Sequence, residues 1–361
     1  MNKKSPNSSP TNDSSRCQPA QAGQHRTATN RRCRLPVTDT RSRLCFRHPQ
    51  LQQQKRDAAD LVGQLARRLL CGAQRLLCGR RRTRKGEEFD MIFADLRLSQ
   101  RIEAAEAQSG VDCATTMAHL RPESGAGAEP VAGGSAIFAG VNSPVTQAVG
   151  VGLHGPVSEA EIEQLEQFYR SRGDAVRVEL SPHAHPSLFE HFGRRGYRTV
   201  EVSNVLVRPL RRAETWPFAT AGITVERVRS EDAALWTRTV AQGFAEHFPV
   251  SAEILEVMEL FFYSPKAQCF LARLDGEPAG GAALAVHDEI AGIYGASTLP
   301  AFRKRGVQTA LLHARLTVAV AAGCDLAHTI TQVGSGSQRN VERCDFRVVY
   351  TRSKFQRDWT T

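Results

Sequence analysis

Hydrophobic and polar positions are distributed differently before and after residue 90. Ser, Asn, Gln, Pro and Arg dominate the first 55 positions, a mixture too polar to bury a core, so residues 1–90 read as a disordered extension. Within it, AADLVGQLARRLLCGAQRLLC (58–78) fits a short helix with an Arg-rich face, and LLCGAQR is followed at once by LLCGRRR. From residue 91 the pattern is that of a folded protein. Leu96 to Ala107 has helical spacing, and VAGGSAIFAG (131–140) and VTQAVGVGL (145–153) read as strands. Ser158 followed by Glu161 forms a capping box. Ile162, Leu165, Phe168 and Tyr169 supply the apolar stripe of that helix, and Gly173 stops it. The β-branched runs 175–180 and 198–207 predict two more strands.

A linker is expected at 213–221. Beyond it the pattern gives a strand at 223–228, a helix from Ser230, and two strands (269–274 and 278–286) facing each other across Asp275-Gly276, a hairpin signal. A strand at 290–299 ends at Pro300. Val307, Ala310, Leu311, Ala314 and Val318 keep the i, i+3, i+4 rhythm of a helix that Gly323 closes. A strand at 326–331, a short helix at 338–343 and a strand at 346–355 complete the chain. The segments 91–212 and 222–361 repeat this order of elements. EPVAGGSA (129–136) mirrors EPAGGAA (277–283), and GYRTVEVSNVLV (196–207) mirrors DFRVVYTRSKF (345–355). An internal duplication accounts for this; two unrelated α/β domains with common strand patterns are the alternative.

The net charge of +10 alone would point to nucleic acid. Its distribution changes that picture: residues 1–90 hold 20 Lys and Arg against 7 Asp and Glu, whereas 91–361 hold 27 against 30. The extension is therefore either a basic arm for nucleic acid or a targeting peptide, or a segment without a role, translation then starting at Met91. Nine cysteines, an odd number with no CxxC, argue against a disulfide scaffold or structural zinc and for a reducing compartment, the cytoplasm. No apolar run reaches the ~18 residues of a membrane span, and no secretory h-region opens the chain.

Candidate chemistry lies in TLPAFRKRGVQTALL (298–312). A strand ends, a basic turn follows, and a helix starts at a glycine. Helix N-termini present unpaired N–H groups and about half a positive charge, and glycine lets an anion approach the backbone. A pyrophosphate is the natural ligand. This stretch resembles the signature of the GNAT acetyltransferase family, [Q/R]xxGx[G/A] at a strand–helix junction: Arg303, Gly306 and Val307 match, while Gln308 replaces the final small residue. The resemblance implies a mixed, mostly antiparallel α/β sheet flanked by helices, of the acyl-CoA N-acyltransferase type, in two tandem copies. It implies acetyl-CoA as co-substrate and no metal. Arg305, Gly306, Val307, Gln308, Thr309 and Ala310 would hold its pyrophosphate by main-chain amides, with Arg303 as a positive flank. Thr298 and Leu299 would give main-chain contacts to the pantetheine arm and thioester. SQRNVERCDFRVVYTR (337–352) resembles the family's second signature, with Phe346 as its final aromatic; Asn340 or Ser337 would touch the cofactor or cap the helix. Asp345 stands where glycine is usual, and Val341 where many members carry a tyrosine that protonates the leaving thiolate.

The implied reaction is direct attack of an amine on acetyl-CoA in a ternary complex. No general base or acid is identified. Asp288 and Glu289 read as turn residues, Glu246 and His247 as surface residues near the acceptor side, and Tyr294 as facing either acceptor or core. The middle segment is expected to be silent: its helix opens with Glu159, Glu161 and Glu163, which would repel phosphate. His154, His183, His185 and His191 lack a metal-ligand spacing. The chain thus reads as an N-acetyltransferase with one cofactor site and a small-molecule or peptide amine as acceptor. The alternatives are a catalytically silent acyl-CoA-binding regulator or scaffold and a nucleic-acid binder acting through the arm.

Overall fold

The computed structural model describes residues 92–216, 221–245 and 250–359. The extension 1–90, Met91, Glu246 and His247 lie outside the described residues. Helix α1 (Leu96–Leu120) is capped by Asp95, whose carboxylate accepts from the Leu98 N–H at 2.8 Å. It runs well past Ala107, through Gln108-Ser109-Gly110. Ala114 packs beyond that stretch on Ile137 and Val149, and Cys113 and Met117 pack on Leu260. Burial overrides the local propensity of Ser and Gly. Strands β1 (Gly127–Val131) and β2 (Gly134–Phe138) meet at a turn with Ala132 and Gly133 at φ 48 and 77. The single strand expected at 131–140 is therefore a turn plus β2. EPVAGGSA spans that turn whereas EPAGGAA runs inside one strand, so this likeness does not mark equivalent positions. Next come β3 (Gln147–Val149), α2 (Glu159–Arg170) with its capping box, β4 (Val176–Leu180), α3 (Pro186–Arg195) and β5 (Arg198–Pro209). The second half holds β6 (Ile223–Arg227), α4 (Ala233–Phe244), α5 (Ala252–Tyr263), β7 (Ala267–Leu274), β8 (Glu277–His287) and β9 (Ile290–Thr298). It closes with α6 (Val307–Ala321), β10 (Leu326–Gln332), α7 (Gly336–Glu342) and β11 (Arg347–Arg357).

All eleven strands join one mixed, mostly antiparallel sheet in the order β1-β2-β3-β4-β11-β5-β10-β9-β8-β7-β6. The order explains the repeat. In each half a three-stranded antiparallel meander (β1-β2-β3, β7-β8-β9) continues into a parallel neighbour (β4, β10). The last strands are exchanged: β11 pairs with β4, and β5 with β10, before the two pair with each other. The linker expected at 213–221 thus falls between β5 and β6, and both halves share one sheet. Strand alternation sorts the helices. Phe270, Ala272 and Leu274 face α6, while Cys269 and Leu271 face α4 and α5. On β5, Leu206 joins the α6 core, while Val205 and Val207 pack against Ile102 and Ala105 of α1. Helices α1, α4 and α5 therefore cover the face opposite α6.

A buried charge cluster fixes α1 over the exchanged strands. Arg352 of β11, 1% exposed, lies 3.3 Å from Glu103 and 3.6 Å from Glu106 of α1, and 3.0 Å from Glu179 of β4. Lys354 adds a 2.9 Å contact to Glu179, and the Tyr350 hydroxyl donates to Glu103 at 2.9 Å. Burial disfavours the Glu179 anion, but Arg352 and Lys354 outweigh it and hold that carboxyl below its ordinary range. Glu103 is different: burial outweighs Arg352 and raises its pKa from 4.5 to about 7. An acid whose pKa is raised by folding binds its proton more tightly when folded. Its contribution to stability therefore falls as pH climbs from 4.5 to about 7 and stays low above that. Glu103→Gln cannot titrate and should lack this slope. Urea unfolding across that range checks it: the stability of wild type minus that of Glu103→Gln should decrease as pH rises.

Candidate functional site

Strand β9 has two features that open a site. Its parallel pairing with β10 is confined to Leu326–His328 opposite Ile290–Gly292, after which the strands part. Its register against β8 slips between Gly281 and Ala283, an extra residue on β9 at Gly295, which adopts φ +54. That bulge and the open edge beyond it line a cleft with about 530 Å³ of empty space, part of it open to solvent. Gln308, Thr309, Leu312 and Arg315 of α6 form one wall; Thr329 of β10 and Ser337, Asn340, Val341 and Cys344 of the α7 region form the other. The Thr329 hydroxyl crosses the gap to the Ile293 carbonyl at 2.9 Å.

The strand–helix junction borders this cleft. Lys304 (φ +63) and Gly306 (φ +90) turn the chain into α6, and Gly306 caps the helix without a side-chain acceptor. No acidic residue occupies the first turn of α6. Val307 and Ala310 are buried, and the Ala310 N–H donates to the Gly306 carbonyl at 3.0 Å, closing the first turn of α6. Gln308 instead donates from Nε2 to Thr298 Oγ1 at 2.9 Å, tying the first turn of α6 to the end of β9. The Arg303 guanidinium donates to the carbonyls of Thr298 (3.3 Å) and Gly243 (3.2 Å), linking the loop to α4. The Leu299 N–H donates to Ala279 O and its carbonyl accepts from Phe302, so its amide is committed within the protein. Upstream, beyond Gly292, the edge of β9 has no strand partner in β10; side chains of Thr329 and Arg315 reach the Ile293 and Tyr294 carbonyls. Arg305 forms an exposed ion pair with Asp275 at 3.2 Å.

Arg315 was not singled out by sequence reasoning. It is 2% exposed and donates to the carbonyls of Leu311 (3.0 Å), Ala283 (3.2 Å) and Tyr294 (3.1 Å). Ala283 and Tyr294 face each other at the bulge. No carboxylate neutralises it among the described residues, and burial lowers its pKa to about 9. A buried cation thus sits under the bulge and lines the cleft.

Tyr294 and Gly295 also line a second cavity, of about 890 Å³ of empty space partly open to solvent, between α1, α5, β8 and the β2–β3 region. Here the Tyr294 hydroxyl donates to Glu106 at 3.0 Å and lies 3.2 Å from His328 Nε2 and 3.3 Å from Ser109 Oγ. Burial and the Glu106 charge raise the Tyr294 pKa well above 10. Burial lowers that of His328 to about 4, so its imidazole is neutral at physiological pH. Glu106 was hidden in the sequence because its partners lie 188 and 246 positions downstream, at Tyr294 and Arg352. Asp288 and Glu289 lie in the β8–β9 turn at φ 46 and 63, at the far end of the hairpin from the bulge. Asp345, where the family has glycine, adopts φ +67, a left-handed position that Asp tolerates. The first half differs at the equivalent place. Val151, Leu153 and Val157 of the segment after β3 are buried, and Glu159 pairs with His191, Arg194 and Arg195. His183 bonds Ser99 and Ala94, and His185 caps α3.

Residues 235–346 match the acetyltransferase (GNAT) family. Among solved structures, a GCN5-related N-acetyltransferase from Kribbella flavida has the same fold: TM-score 0.52, 18% identity, covering 73% of this chain and 96% of that one. A GCN5-related N-acetyltransferase from Sphaerobacter thermophilus matches with TM-score 0.42 at 18% identity over 55% of this chain and 66% of its own. A tandem GNAT protein from the clavulanic acid biosynthesis pathway matches with TM-score 0.42 at 14% identity over 55% and 68%. No curated protein matches the chain.

The contrast between the two halves yields a prediction. Gln308→Glu gives the first turn of α6 the charge that Glu161 gives α2. CoA affinity should fall about tenfold to a hundredfold, the scale of one charge-assisted hydrogen bond. Calorimetric titration, with circular dichroism as the folding control, checks it; unchanged affinity would remove the pyrophosphate from this helix terminus.

Proposed function

We propose that this chain, whose residues 235–346 belong to the acetyltransferase (GNAT) family, transfers the acetyl group of acetyl-CoA to an amine by direct attack in a ternary complex. The observation that carries this reading is that one stretch of backbone, the β9 bulge at Tyr294 and Gly295, forms a wall of both the cleft and the cavity. Donor and acceptor can meet there from opposite sides.

Acetyl-CoA supplies a thioester carbonyl that the amine attacks, with the CoA thiolate leaving. The main-chain amides at the start of α6 and Thr309 receive the pyrophosphate, and Asn340 and Ser337 border the same cleft. The open edge of β9 orients the pantetheine arm, with Thr298 closing its end. Arg315 holds the carbonyls on either side of the bulge and places positive charge beneath the carbon that gains an oxyanion. On the cavity side Glu106 accepts the ammonium proton, so that the neutral nitrogen lone pair attacks. Tyr294 keeps Glu106 aimed at the bulge through one carboxylate oxygen, and Arg352 holds the other. The thiolate takes its proton from solvent, since Val341 offers no hydroxyl at the cleft.

Glu106→Gln removes the proton acceptor but not the cleft. Its kcat should fall about a hundredfold to ten-thousandfold with CoA affinity unchanged. Arg315→Met should lower kcat about tenfold or more with little change in CoA affinity, and Arg315→Lys should recover part of it. Steady-state kinetics against an amine panel, paired with CoA titration, tests these outcomes. If the wild type bound CoA and turned over no amine, the chain would instead be a silent acyl-CoA-binding regulator.

A further inference from the structure

The cavity next to the bulge has a chemistry of its own. Much of its wall is apolar: Ile137, Val145, Val149, Phe261, Leu284 and Ala285. No Lys or Arg is among its lining residues, whereas two carboxylates are, Glu106 and Asp112. They lie six residues apart on α1, about 9 Å along the helix axis. Three buried side-chain atoms of its lining residues have no hydrogen-bond partner: Asp112 Oδ2, Gln147 Oε1 and His287 Nε2. Gln147 is 8% exposed and His287 9%. Asp112 and His287 stand 3.5 Å apart, near enough for charge to act but too far for a good hydrogen bond. Burial lowers the His287 pKa, Asp112 opposing and Lys266 reinforcing the shift, so the ring is biased toward its neutral form. Buried polar atoms without partners are costly and rare in folded proteins. Here the orphans comprise two acceptors and one imidazole nitrogen, on residues lining the same largely apolar chamber as the proposed base.

We propose that this cavity selects a small aliphatic amine with a second hydrogen-bond donor at its far end, the diamine class. The reacting amine lies at Glu106 and the bulge. The aliphatic body lies along Phe261, Leu284 and Val149. The distal ammonium or hydroxyl sits between Asp112, Gln147 and His287. This rests on the acetyl-transfer reading only for which end reacts; the binding assignment is independent of it. A carboxylate in place of the distal donor would face Asp112 and the Gln147 carbonyl oxygen and be rejected.

Hexamethylenediamine, hexylamine and ε-aminocaproate have similar carbon chains and differ at the far end: cation, nothing, anion. Calorimetric affinity in the presence of CoA, and kcat/KM with acetyl-CoA, should both rank them in that order. The diamine should exceed hexylamine about tenfold or more, as one charge-assisted hydrogen bond dictates. Asp112→Asn should bring the diamine-to-hexylamine ratio close to one, and Gln147→Leu should lower it independently if Asp112→Asn fails to fold. Equal affinities, preference for ε-aminocaproate, no binding of the diamine, or a ratio untouched in both variants would overturn the proposal. Correct ranking in binding with no acetylation of any amine would support the cavity assignment and refute the acetyl-transfer reading.

Discussion

One guanidinium, that of Arg352, links the exchanged strands to the chemistry. It lies on β11, the strand inserted between β4 and β5, and is almost wholly buried. Its three carboxylate neighbours come from α1 and β4. Removing one partner of such a cluster typically costs about 3–5 kcal/mol, because the charge left behind is buried without compensation. The cluster does more than join elements. Glu106 contacts Arg352 through one oxygen and Tyr294 through the other. The strand exchange therefore delivers a carboxylate from the first half to the bulge of the second.

The two halves share a topology but resolve one constraint in opposite ways. Where parallel strands part, each half exposes main-chain edge and a helix N-terminus, and both need partners. The first half supplies them internally, with buried Val151, Leu153 and Val157 in the loop after β3 and with Ser158 and Glu161 capping α2. The second leaves the edge of β9 lining a cleft and the start of α6 without a side-chain cap. The first copy thereby gains stability and the second keeps room for a ligand. The first half also contributes α1 and the β2–β3 region, which wall the cavity together with β8.

How much of this was legible in sequence depends on the range of the interaction. The capping box at Ser158, the Asp275-Gly276 hairpin, α6 and the order of strands follow local rules, and the structure has them. The glycine-led helix start at Gly306 was equally local. The Ala132-Gly133 turn was missed because Val131 to Gly140 is apolar on both sides of it. The length of α1 was underestimated because Gly110 is held helical by packing on Ile137 and its neighbours. Arg303 and Arg315 show the limit most clearly. Composition suggests that the arginine in the basic loop meets an anion and says nothing of the one inside the apolar helix. The fold turns the first inward onto carbonyls and buries the second beneath the bulge. Glu106, His328 and Arg352 become neighbours only once β11 has crossed into the other half.

The division of charge across β9 gives the arrangement its chemical sense. On one side lie the positive terminus of α6 and the unneutralised guanidinium of Arg315; on the other lie Glu106 and Asp112. In the proposed function, an anionic acyl donor and a cationic acceptor would each be attracted to their own side and repelled from the other's. Only the bulge is common to both. A simple apolar partition could not do this, because it would leave either partner free to enter either side. The opposed signs also suit the bond-forming step. The carboxylate favours loss of a proton from the ammonium, which raises nucleophilicity on one side. The guanidinium and helix terminus favour negative charge on carbonyl oxygen and sulfur on the other. In the proposed reaction electrons would move from the carboxylate side toward the guanidinium side, the direction that this division of charge favours.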